Sequence, residues 1–420
     1  MAFNRLRGTK DIWGAEARRF EALGRTARRV FHSFGFEEIQ TPILESKEVF
    51  TRALGDETDV VQKEMYEFKD RSDEFVAMRP EGTAGVVRAY LENHIDKTEG
   101  LAKLFYIGPM FRSERPQAGR LRQFHQIGVE TLGTGSPYAD AETIHCLKIF
   151  LDEAGISGYS IQLNNLGDFK ERQAFAVVLR KYFEPKSASL CEDCKKRLSK
   201  NVFRLLDCKS SGCRAVAADA PVISKHLGPE SSGHFEKVCR ALKSAGVSYQ
   251  VDDRQVRGLD YYTKTVFEVT HPALGSQDAL AAGGRYDQLI ESFGGTPGSG
   301  AVGFAAGVER LLMCVEKKTS DETVRENSFF IAALGEAAFE EGFKLVSSSR
   351  AAGLKAEMDL SAKSLKSQMR SADKARCRYV VILGDDELKK KAFTLKDMQS
   401  GDQSEVALSG AVEVLKKKVS

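Results

Sequence analysis

The feature that most constrains the fold is a basic strand–loop–strand segment in the first third of the chain. Residues Lys103–Arg112 are rich in aromatic side chains and contain Ile107, and residues Arg120–Glu130 show a period-2 alternation. Residues 113–119 between them contain the Pro and Gly of a loop. Such alternation is typical of a half-buried strand. We therefore predict an antiparallel hairpin with a long basic tip.

The alternation assigns the second strand's side chains to two faces. One face carries Arg120, Arg122, Phe124, Gln126, Gly128 and Glu130, and the other carries Leu121, Gln123, His125, Ile127 and Val129. A solvated charge run is the usual explanation for clustered arginines. Here the polar face ends in Gln126 and Glu130, whose hydrogen-bonding groups flank a glycine that leaves room. This face is more typical of a pocket floor than of a solvent-exposed edge.

Length and composition indicate a folded protein of more than one domain. A chain of 420 residues predicts two or three domains, and its 42% hydrophobic and 29% charged content is ordinary. No apolar run has the length of a membrane span, and the N-terminus has no signal-peptide core, so we expect a cytoplasmic protein. The net charge of +3 excludes a histone-like polycation. A small basic excess after residue 327 is weakly compatible with a polyanionic partner.

Further patterns divide the chain into a first domain, an insertion and a second domain. Helical spacing of apolar residues begins at Phe20 and ends before Gly35. Residues 155–251 are helical in pattern, rich in Lys and Arg, and contain an insertion at about 167–245. Residues 250–270 then predict a second hairpin-like stretch, and residues 301–318 predict a strand that leads into a helix.

The C-terminal part alternates strand, helix, strand, helix and strand from residue 328 to about 388. This pattern is typical of a small α/β domain with a largely parallel sheet. Residues 321–327 predict the linker that precedes it. We therefore expect a first domain at 1–320 and a second at 327–420.

Two nucleotide-binding motifs can be excluded. Gly298–Gly303 satisfies G-x-G-x-x-G, but it follows a turn-rich loop and no βαβ unit surrounds it. The chain also contains no G-x-x-x-x-G-K-[ST]. A triphosphate would then be held by arginine forks, and Arg112, Arg257 and Arg310 each lie in a short motif suited to a site.

These motifs together resemble those of the class II aminoacyl-tRNA synthetases. Phe111-Arg112-Ser113-Glu114 with residues 120–130 resembles motif 2, residues 303–311 resemble motif 3, and Thr41-Pro42 resembles the motif 1 proline at the dimer interface. The histidyl-tRNA synthetase subgroup is indicated by R-G-L-D-Y-Y-T at 257–263, G-G-R-Y-D at 283–287 and R-P-E-G-T at 79–83. The resemblance covers essentially the whole chain.

The resemblance implies a fold, a reaction and partners. The fold is an α+β catalytic domain on a class II antiparallel sheet, with a helical insertion and a C-terminal α/β anticodon-binding domain. The implied reaction activates L-histidine with ATP to histidyl-adenylate and pyrophosphate, and then transfers histidine to the 3′-terminal ribose of tRNA(His). A homodimer without membrane attachment and a requirement for Mg²⁺ are also implied.

The resemblance also implies site residues. For ATP these are Arg112 on the α-phosphate, Phe124 on adenine, Glu114 on adenine or ribose, and Arg310 on the terminal phosphates. Arg257 and Arg112 are the implied catalytic residues. The implied histidine-binding residues are Glu81, Gly82, Thr83, Arg112, Gln126, Glu130, Arg257, Tyr261 and Tyr262. Arg115 and Gln117, at the hairpin tip, are expected to reach the acceptor end of tRNA.

Four of the eight cysteines cluster outside these motifs. Cys191, Cys194, Cys208 and Cys213 have the spacing C-x2-C-x13-C-x4-C, which is close to that of a zinc ribbon. The family resemblance does not require them, and no metal is expected among the catalytic residues. A structural zinc, reduced thiols and a redox role all remain compatible with the sequence.

Two non-enzymatic alternatives are less compatible with the motifs. A synthetase-like paralogue serves as the regulatory subunit of ATP phosphoribosyltransferase, but such paralogues lack the C-terminal domain and have degraded catalytic motifs. Here the domain after residue 327 is present, and Arg112, Arg257 and Arg310 are intact. A chain that binds tRNA only for signalling would be expected to lack an intact amino-acid pocket. The motifs therefore favour the enzyme.

Overall fold

The structure is a computed structural model that describes residues 3–55, 58, 60–117, 119–256, 261–275, 277–316, 326–361 and 363–419. The chain divides into two compact units, Met1–Glu316 and Lys317–Ser420, and each is described by itself. The predicted linker at 321–327 lies mostly outside the described residues, and the first strand of the second unit begins at Glu326. Among the described residues, no helix is both long and apolar enough to cross a membrane.

Helices and strands alternate irregularly along the first unit. Its described helices are α1 Gly14–Ser33, α2 Lys47–Leu54, α3 Thr83–Glu92, α4 Ile95–Thr98, α5 Pro137–Glu153, α6 Phe169–Phe183, α7 Glu192–Lys200, α8 Ser211–Ala218, α9 Pro229–Ser244, α10 Asp287–Ser292 and α11 Val308–Cys314. Its described strands are β1 Glu37–Glu38, β2 Leu44–Ser46, β3 Tyr66–Lys69, β4 Phe75–Met78, β5 Ala102–Phe111, β6 Gln123–Leu132, β7 Ser160–Asn165, β8 Gln250–Val251, β9 Thr263–Thr270, β10 Ala279–Arg285 and β11 Ala301–Gly307.

One large sheet organises this unit. Within the described residues it contains eight strands in the order β1-β5-β6-β11-β10-β9-β7-β8. The inner pairs are antiparallel, whereas β1 with β5 and β7 with β8 at the two edges are parallel. The predicted hairpin of β5 and β6 is confirmed, with Ala102 opposite Leu132 and Phe111 opposite Gln123.

The second strand of this hairpin is shorter than predicted. It begins at Gln123 rather than at Arg120. The backbone N–H of Arg122 donates to the carbonyl of Gly8 at 2.7 Å, and Gln117 and Arg120 close a tight turn at 3.1 and 2.9 Å. These loop hydrogen bonds lie beyond the first residue of the strand, so three residues of the alternating pattern belong to the tip.

The predicted hairpin at 250–270 is wrong in its pairing. Strand β8 pairs with β7 in parallel, and β9 pairs with β7 and β10. The helical description of residues 155–251 is also wrong at its two ends, because β7 and β8 belong to the sheet. Helices begin after β7, where Asp168 and Glu171 form a reciprocal capping box at the start of α6.

The two faces of the large sheet are covered differently. On one face, α1, α5, α9 and α11 enclose an apolar core in which Phe31 contacts Phe105, Phe150 and Phe304 edge-on or tilted. Helix α1 confirms the predicted N-terminal helix, and Gly35 follows it with φ +79°. The opposite face packs against α2, α3 and α10 and leaves an open cavity.

The insertion has a small core of its own. Helices α6, α7 and α8 contribute to a cluster of twelve buried residues that includes Phe175, Phe183, Cys194 and Cys213. This cluster is separate from the two cores beside the sheet.

The second unit is an α/β sandwich. Its described elements are β12 Glu326–Ala333, α12 Glu336–Ala351, β13 Ala356–Met358, α13 Leu365–Lys374, β14 Cys377–Leu383, α14 Asp385–Lys389, β15 Ala392–Asp397, β16 Gln403–Ala407 and α15 Ala411–Val419. Strands β13, β12 and β14 are parallel, as predicted. Strands β15 and β16 extend the sheet in antiparallel fashion and were not predicted. The edge strand β16 is short and largely polar, which gives only a weak strand pattern.

Candidate active site

A cavity of about 1050 Å³ opens on the sheet face opposite α1 and α5. Its volume is at the upper end of the range for small-molecule sites, enough for a nucleotide together with an amino acid. The cavity brings together predicted site residues from four separate parts of the chain: Glu81, Thr83, Arg112, Glu114, Phe124, Gln126, Glu130, Tyr261, Tyr262 and Arg310.

The hairpin supplies the cavity floor because β6 keeps its period of two. Phe124, Gln126 and Glu130 line the cavity, whereas Ile127 and Val129 are buried in the core on the other face. The alternation that the sequence predicted for these residues is therefore confirmed.

Glu130 is a buried carboxyl group of the site with a strongly raised pKa. Its side chain is 1% exposed. Thr83 donates a hydrogen bond from Oγ1 to Oε1 at 2.7 Å, and the hydroxyl of Tyr286 donates to Oε2. Burial raises the pKa of Glu130 to about 8, because desolvation penalises the charged carboxylate more than these two donors stabilise it. Near neutral pH this group is poised to change charge when a cation binds beside it.

Glu81 is a second buried carboxyl group, at the start of α3. Its oxygens accept hydrogen bonds from the backbone N–H groups of Thr83 at 2.6 Å and Ala84 at 2.9 Å. Burial raises the pKa of Glu81, and these backbone donors oppose that effect. The arrangement places two carboxyl groups, joined through Thr83, at one end of the cavity. This end is suited to a ligand that carries ammonium or imidazole N–H donors.

Gln126 supplies a hydrogen-bond acceptor that no described residue uses. Its side chain is 9% exposed and lines the cavity. Among the described residues, its buried Oε1 atom has no hydrogen-bond partner. Buried polar atoms are nearly always paired, so a donor from a bound ligand is the expected partner.

Close packing at this end depends on glycines. A Cβ atom on Gly303 would lie 1.8 Å from Oε2 of Glu130, and one on Gly128 would lie 2.4 Å from the hydroxyl of Tyr106. A Cβ atom on Gly82 would lie 2.3 Å from the same tyrosine ring. Gly82 is buried and makes room for Tyr106, and it does not line the cavity.

The other end of the cavity is cationic. Arg112 donates from Nε to the carbonyl of Pro80 at 2.9 Å, and its guanidinium lies 5.3 Å from the ring centre of Phe124. Arg310 donates to the carbonyls of Gly119 at 3.2 Å and Ala279 at 2.6 Å.

The cations at this end repel one another. Burial lowers the pKa of Arg310, and the nearby charge of Arg120 lowers it further. Glu114 offsets part of this charge, at 3.1 Å from Arg120 and 3.7 Å from Arg112. Clustered guanidinium groups with an aromatic ring beside them are suited to phosphates and a nucleotide base.

Besides Gly82, two described residues of the predicted site do not line the cavity, and a third predicted residue is not described. Arg115 and Gln117 are exposed in the loop of the hairpin. Arg257 lies outside the described residues. Val256 and Tyr261, on either side of that undescribed segment, both line the cavity.

Two tyrosines of the site were not predicted. Tyr286 lines the cavity and donates to Glu130, and Tyr106 fills the space between Gly82 and Gly128. Tyr286 belongs to the G-R-Y-D peptide, and Tyr106 shares a face of β5 with Leu104 and Met110. The signature peptide and the alternation of β5 were the available signals.

The arginine of the same peptide has a structural position. Arg285 is fully buried and paired with Asp140, which also accepts a hydrogen bond from His234 at 2.8 Å. Arg285 donates further to the carbonyls of Thr134 at 2.9 Å and Ser136 at 3.0 Å. This network anchors the end of β10, from which Tyr286 extends towards Glu130.

Comparison with known proteins agrees with this geometry. The family model described as "Histidyl-tRNA synthetase" matches residues 8–311, and the model described as "Anticodon binding domain" matches residues 328–418. The histidine–tRNA ligase of Natranaerobius thermophilus is 45% identical over 98% of each chain, and that of Oleidesulfovibrio alaskensis is 46% identical over 97% of each. The crystal structure of the apo Staphylococcus aureus histidyl-tRNA synthetase superimposes with a TM-score of 0.82 and 32% identity, covering 99% of this chain and 100% of that one. The chain therefore belongs to the histidyl-tRNA synthetase family of class II aminoacyl-tRNA synthetases, the histidine–tRNA ligases.

Proposed function

We propose that the cavity activates L-histidine with ATP to histidyl-adenylate and pyrophosphate, and that histidine is then transferred to the 3′-terminal ribose of tRNA(His). The observation that carries this proposal is the division of one cavity into two chemically different ends. One end has buried carboxyl groups and tyrosines, and the other has arginines beside an aromatic ring. An amino acid and a nucleotide can thus lie side by side.

The carboxyl end is the proposed histidine pocket. Glu81 and Thr83 would take the α-ammonium group, and Glu130, Gln126 and the tyrosines would surround the imidazole. A neutral imidazole has one donor and one acceptor, and the unpaired Oε1 of Gln126 matches the donor. An amino acid without these groups would leave buried polar atoms unsatisfied, which is a strong basis for rejection.

The arginine end is the proposed ATP site. Phe124 would stack on adenine, Glu114 would contact the adenine or ribose, Arg112 would contact the α-phosphate, and Arg310 would contact the terminal phosphates. Both Glu114 and Glu268 stand close enough to Arg310 to raise its pKa electrostatically, so their carboxylates lie near the proposed phosphates. Mg²⁺ usually reaches such sites on the triphosphate with one or two protein carboxylates, and Glu268, which lines the cavity, would fit that role. Bound there, it would neutralise charge on the departing pyrophosphate.

Catalysis by these residues would rest on positioning and charge. The histidine carboxylate is the nucleophile, so the reaction needs no covalent intermediate on the protein. Arg112 would stabilise the negative charge that builds up at the α-phosphate. Arg257 is proposed as the second catalytic arginine on the basis of its signature peptide.

The acceptor end of tRNA is proposed to approach the hairpin tip. Arg115 and Gln117 are exposed there, and the tip adjoins Arg120 on the cavity wall. Residues 327–420 are proposed to bind the anticodon, residues 1–320 to form the catalytic domain, and residues 167–245 to form its insertion.

A homodimer in the cytoplasm is the proposed assembly and location. Beyond Thr41-Pro42, the side chains of Ile43 and Leu44 are 41% and 49% exposed. Exposed apolar side chains beside the motif 1 peptide support a dimer interface at this place. Sedimentation equilibrium of the purified chain would test the dimer.

Pyrophosphate exchange into ATP tests the reaction itself. The assay is run with Mg²⁺ and each of the twenty amino acids in turn. Exchange with histidine alone is the expected result, and it would support both the chemistry and the pocket. Histidine binding without any exchange would contradict the proposal and favour a regulatory paralogue.

A further inference from the structure

The insertion brings four cysteine sulfurs together. Cys191, Cys194, Cys208 and Cys213 place their Sγ atoms within 4.8 Å of one another. All four are free thiols. Two of them, Cys194 and Cys213, belong to the buried core of the insertion, whereas Cys191 and Cys208 are partly exposed. We propose that these four thiolates bind one structural Zn²⁺ ion.

The spacing of the sulfurs matches a single tetrahedral ion. A Zn–S bond of about 2.3 Å in a regular tetrahedron places any two sulfurs about 3.8 Å apart. Sγ of Cys191 lies 3.9 Å from Sγ of Cys208, a separation that is too long for a disulfide bond and right for a shared ion. In an iron–sulfur cluster the cysteines bind different iron atoms and stand farther apart. The geometry therefore favours a mononuclear site.

The backbone around the cysteines places helix N-termini and an N–H donor beside the sulfurs, an arrangement that stabilises thiolates. Cys191 caps α7 and Cys194 lies in its first turn, while Cys213 lies in the first turn of α8. The positive ends of both helices therefore face the sulfurs and stabilise thiolates. The backbone N–H of Cys191 also donates to Sγ of Cys213 at 3.2 Å, and such outer hydrogen bonds hold ligands in place.

The charge of the segment balances the proposed site. Four thiolates around Zn²⁺ carry a net charge of −2. Between Cys191 and Arg214 the chain has three acidic residues and seven basic ones, Lys195, Lys196, Arg197, Lys200, Arg204, Lys209 and Arg214. This local excess of positive charge compensates a dianionic centre.

The size of the insertion supplies a physical reason for a metal. Its helices α6, α7 and α8 share a core of only twelve buried residues. A core of this size rarely holds a segment as long as the one from Phe169 to Leu227 on its own, and a structural metal is a common remedy. The ion would also hold the segment from Arg204 to Arg214, which contributes Cys208 and Arg214 to the cavity wall.

Metal analysis of the full-length chain, free of any histidine tag and purified without chelator, tests the proposal. We expect about one zinc per chain, and addition of Co²⁺ to chelator-treated, reduced protein should produce intense thiolate-to-cobalt charge-transfer bands. Cys208→Ser should lose the bound zinc and these bands. Cys239→Ala, a thiol of α9 outside the cluster, should retain both.

Two results would overturn the proposal. One is less than about 0.1 zinc per chain in folded wild-type protein that also gives no charge-transfer bands with Co²⁺. The other is a mass that is lower by two or four hydrogens under non-reducing conditions, because the cysteines would then form disulfides. These readouts do not require amino-acid activation, so they stand independently of the proposed reaction. If Cys208→Ser fails to fold, the cobalt titration of the wild-type protein still shows whether the four cysteines bind a metal ion.

Discussion

The raised pKa of Glu130 predicts a specific dependence of stability on pH. In the unfolded chain a glutamate ionises with a pKa of 4.5, whereas in the folded chain this pKa is about 8. Between these values the folded carboxyl is protonated and the unfolded one is ionised. Unfolding then releases a proton, so raising the pH favours unfolding. The stabilising contribution of the protonated group is fully present below pH 4.5 and is lost as the pH rises towards 8.

The size of this pH effect on the free energy of unfolding follows from the linkage between proton binding and folding. One proton released on unfolding lowers the free energy of unfolding by about 1.4 kcal/mol per pH unit. Between pH 5 and 8 the contribution amounts to about 4 kcal/mol, a large share of the 5–15 kcal/mol typical of native proteins. Glu130→Gln removes the titration. The amide oxygen can still accept from Thr83 or Tyr286, and the lost second acceptor adds a cost of about 1 kcal/mol that does not vary with pH.

The assay is urea unfolding of the wild type and the Glu130→Gln variant, followed by circular dichroism at intervals from pH 5 to 9. Titrating groups that do not interact with Glu130 are common to both proteins and cancel in the difference. The wild type should lose stability relative to the variant up to about pH 8 and no further. A difference between the two proteins that stays constant over this range would refute the reasoning.

Three other substitutions test the ATP site, the histidine pocket and the proposed catalytic arginine one at a time. Phe124→Ala should raise the KM for ATP about 10- to 100-fold in pyrophosphate exchange, since stacking on a base contributes about 1–3 kcal/mol. The control Phe124→Tyr keeps an aromatic ring and should leave this KM unchanged. An unchanged KM in the alanine variant would exclude Phe124 from the ATP site. Gly303→Ala should weaken histidine binding in calorimetry by about tenfold or more, because the new methyl group would displace Glu130. Gly233→Ala, whose Cβ meets nothing within 4 Å, is its control, and equal affinities would contradict the packing argument. Arg257→Ala should slow adenylate formation in single-turnover experiments far more than it weakens histidine binding, and wild-type rates would exclude it from catalysis.

Local patterns in the sequence predicted much of the fold. The hairpin of β5 and β6, helix α1 and the parallel part of the second unit all follow from periodicity over ten to twenty residues. Errors occurred where pairing is not local. The strand at 250–251 pairs with β7 rather than with β9, its neighbour in sequence, although helices α6 to α9 lie between β7 and β8 in the chain. The periodicity within each strand does not indicate which strand it pairs with.

The sequence by itself determined which chemical groups are available and in what order: the alternating face of β6, the arginines of the motifs, and the four cysteines. Only the tertiary structure decided which of them meet. Thr83 and Tyr286 donate to Glu130 across 47 and 156 positions of the chain. The sulfurs of four cysteines from α7, α8 and the residues beside these helices converge within 4.8 Å. The physical reason is that side-chain periodicity is set by local backbone geometry, whereas such contacts depend on how the sheet and helices pack. The desolvation that gives Glu130 its unusual pKa arises only from that packing.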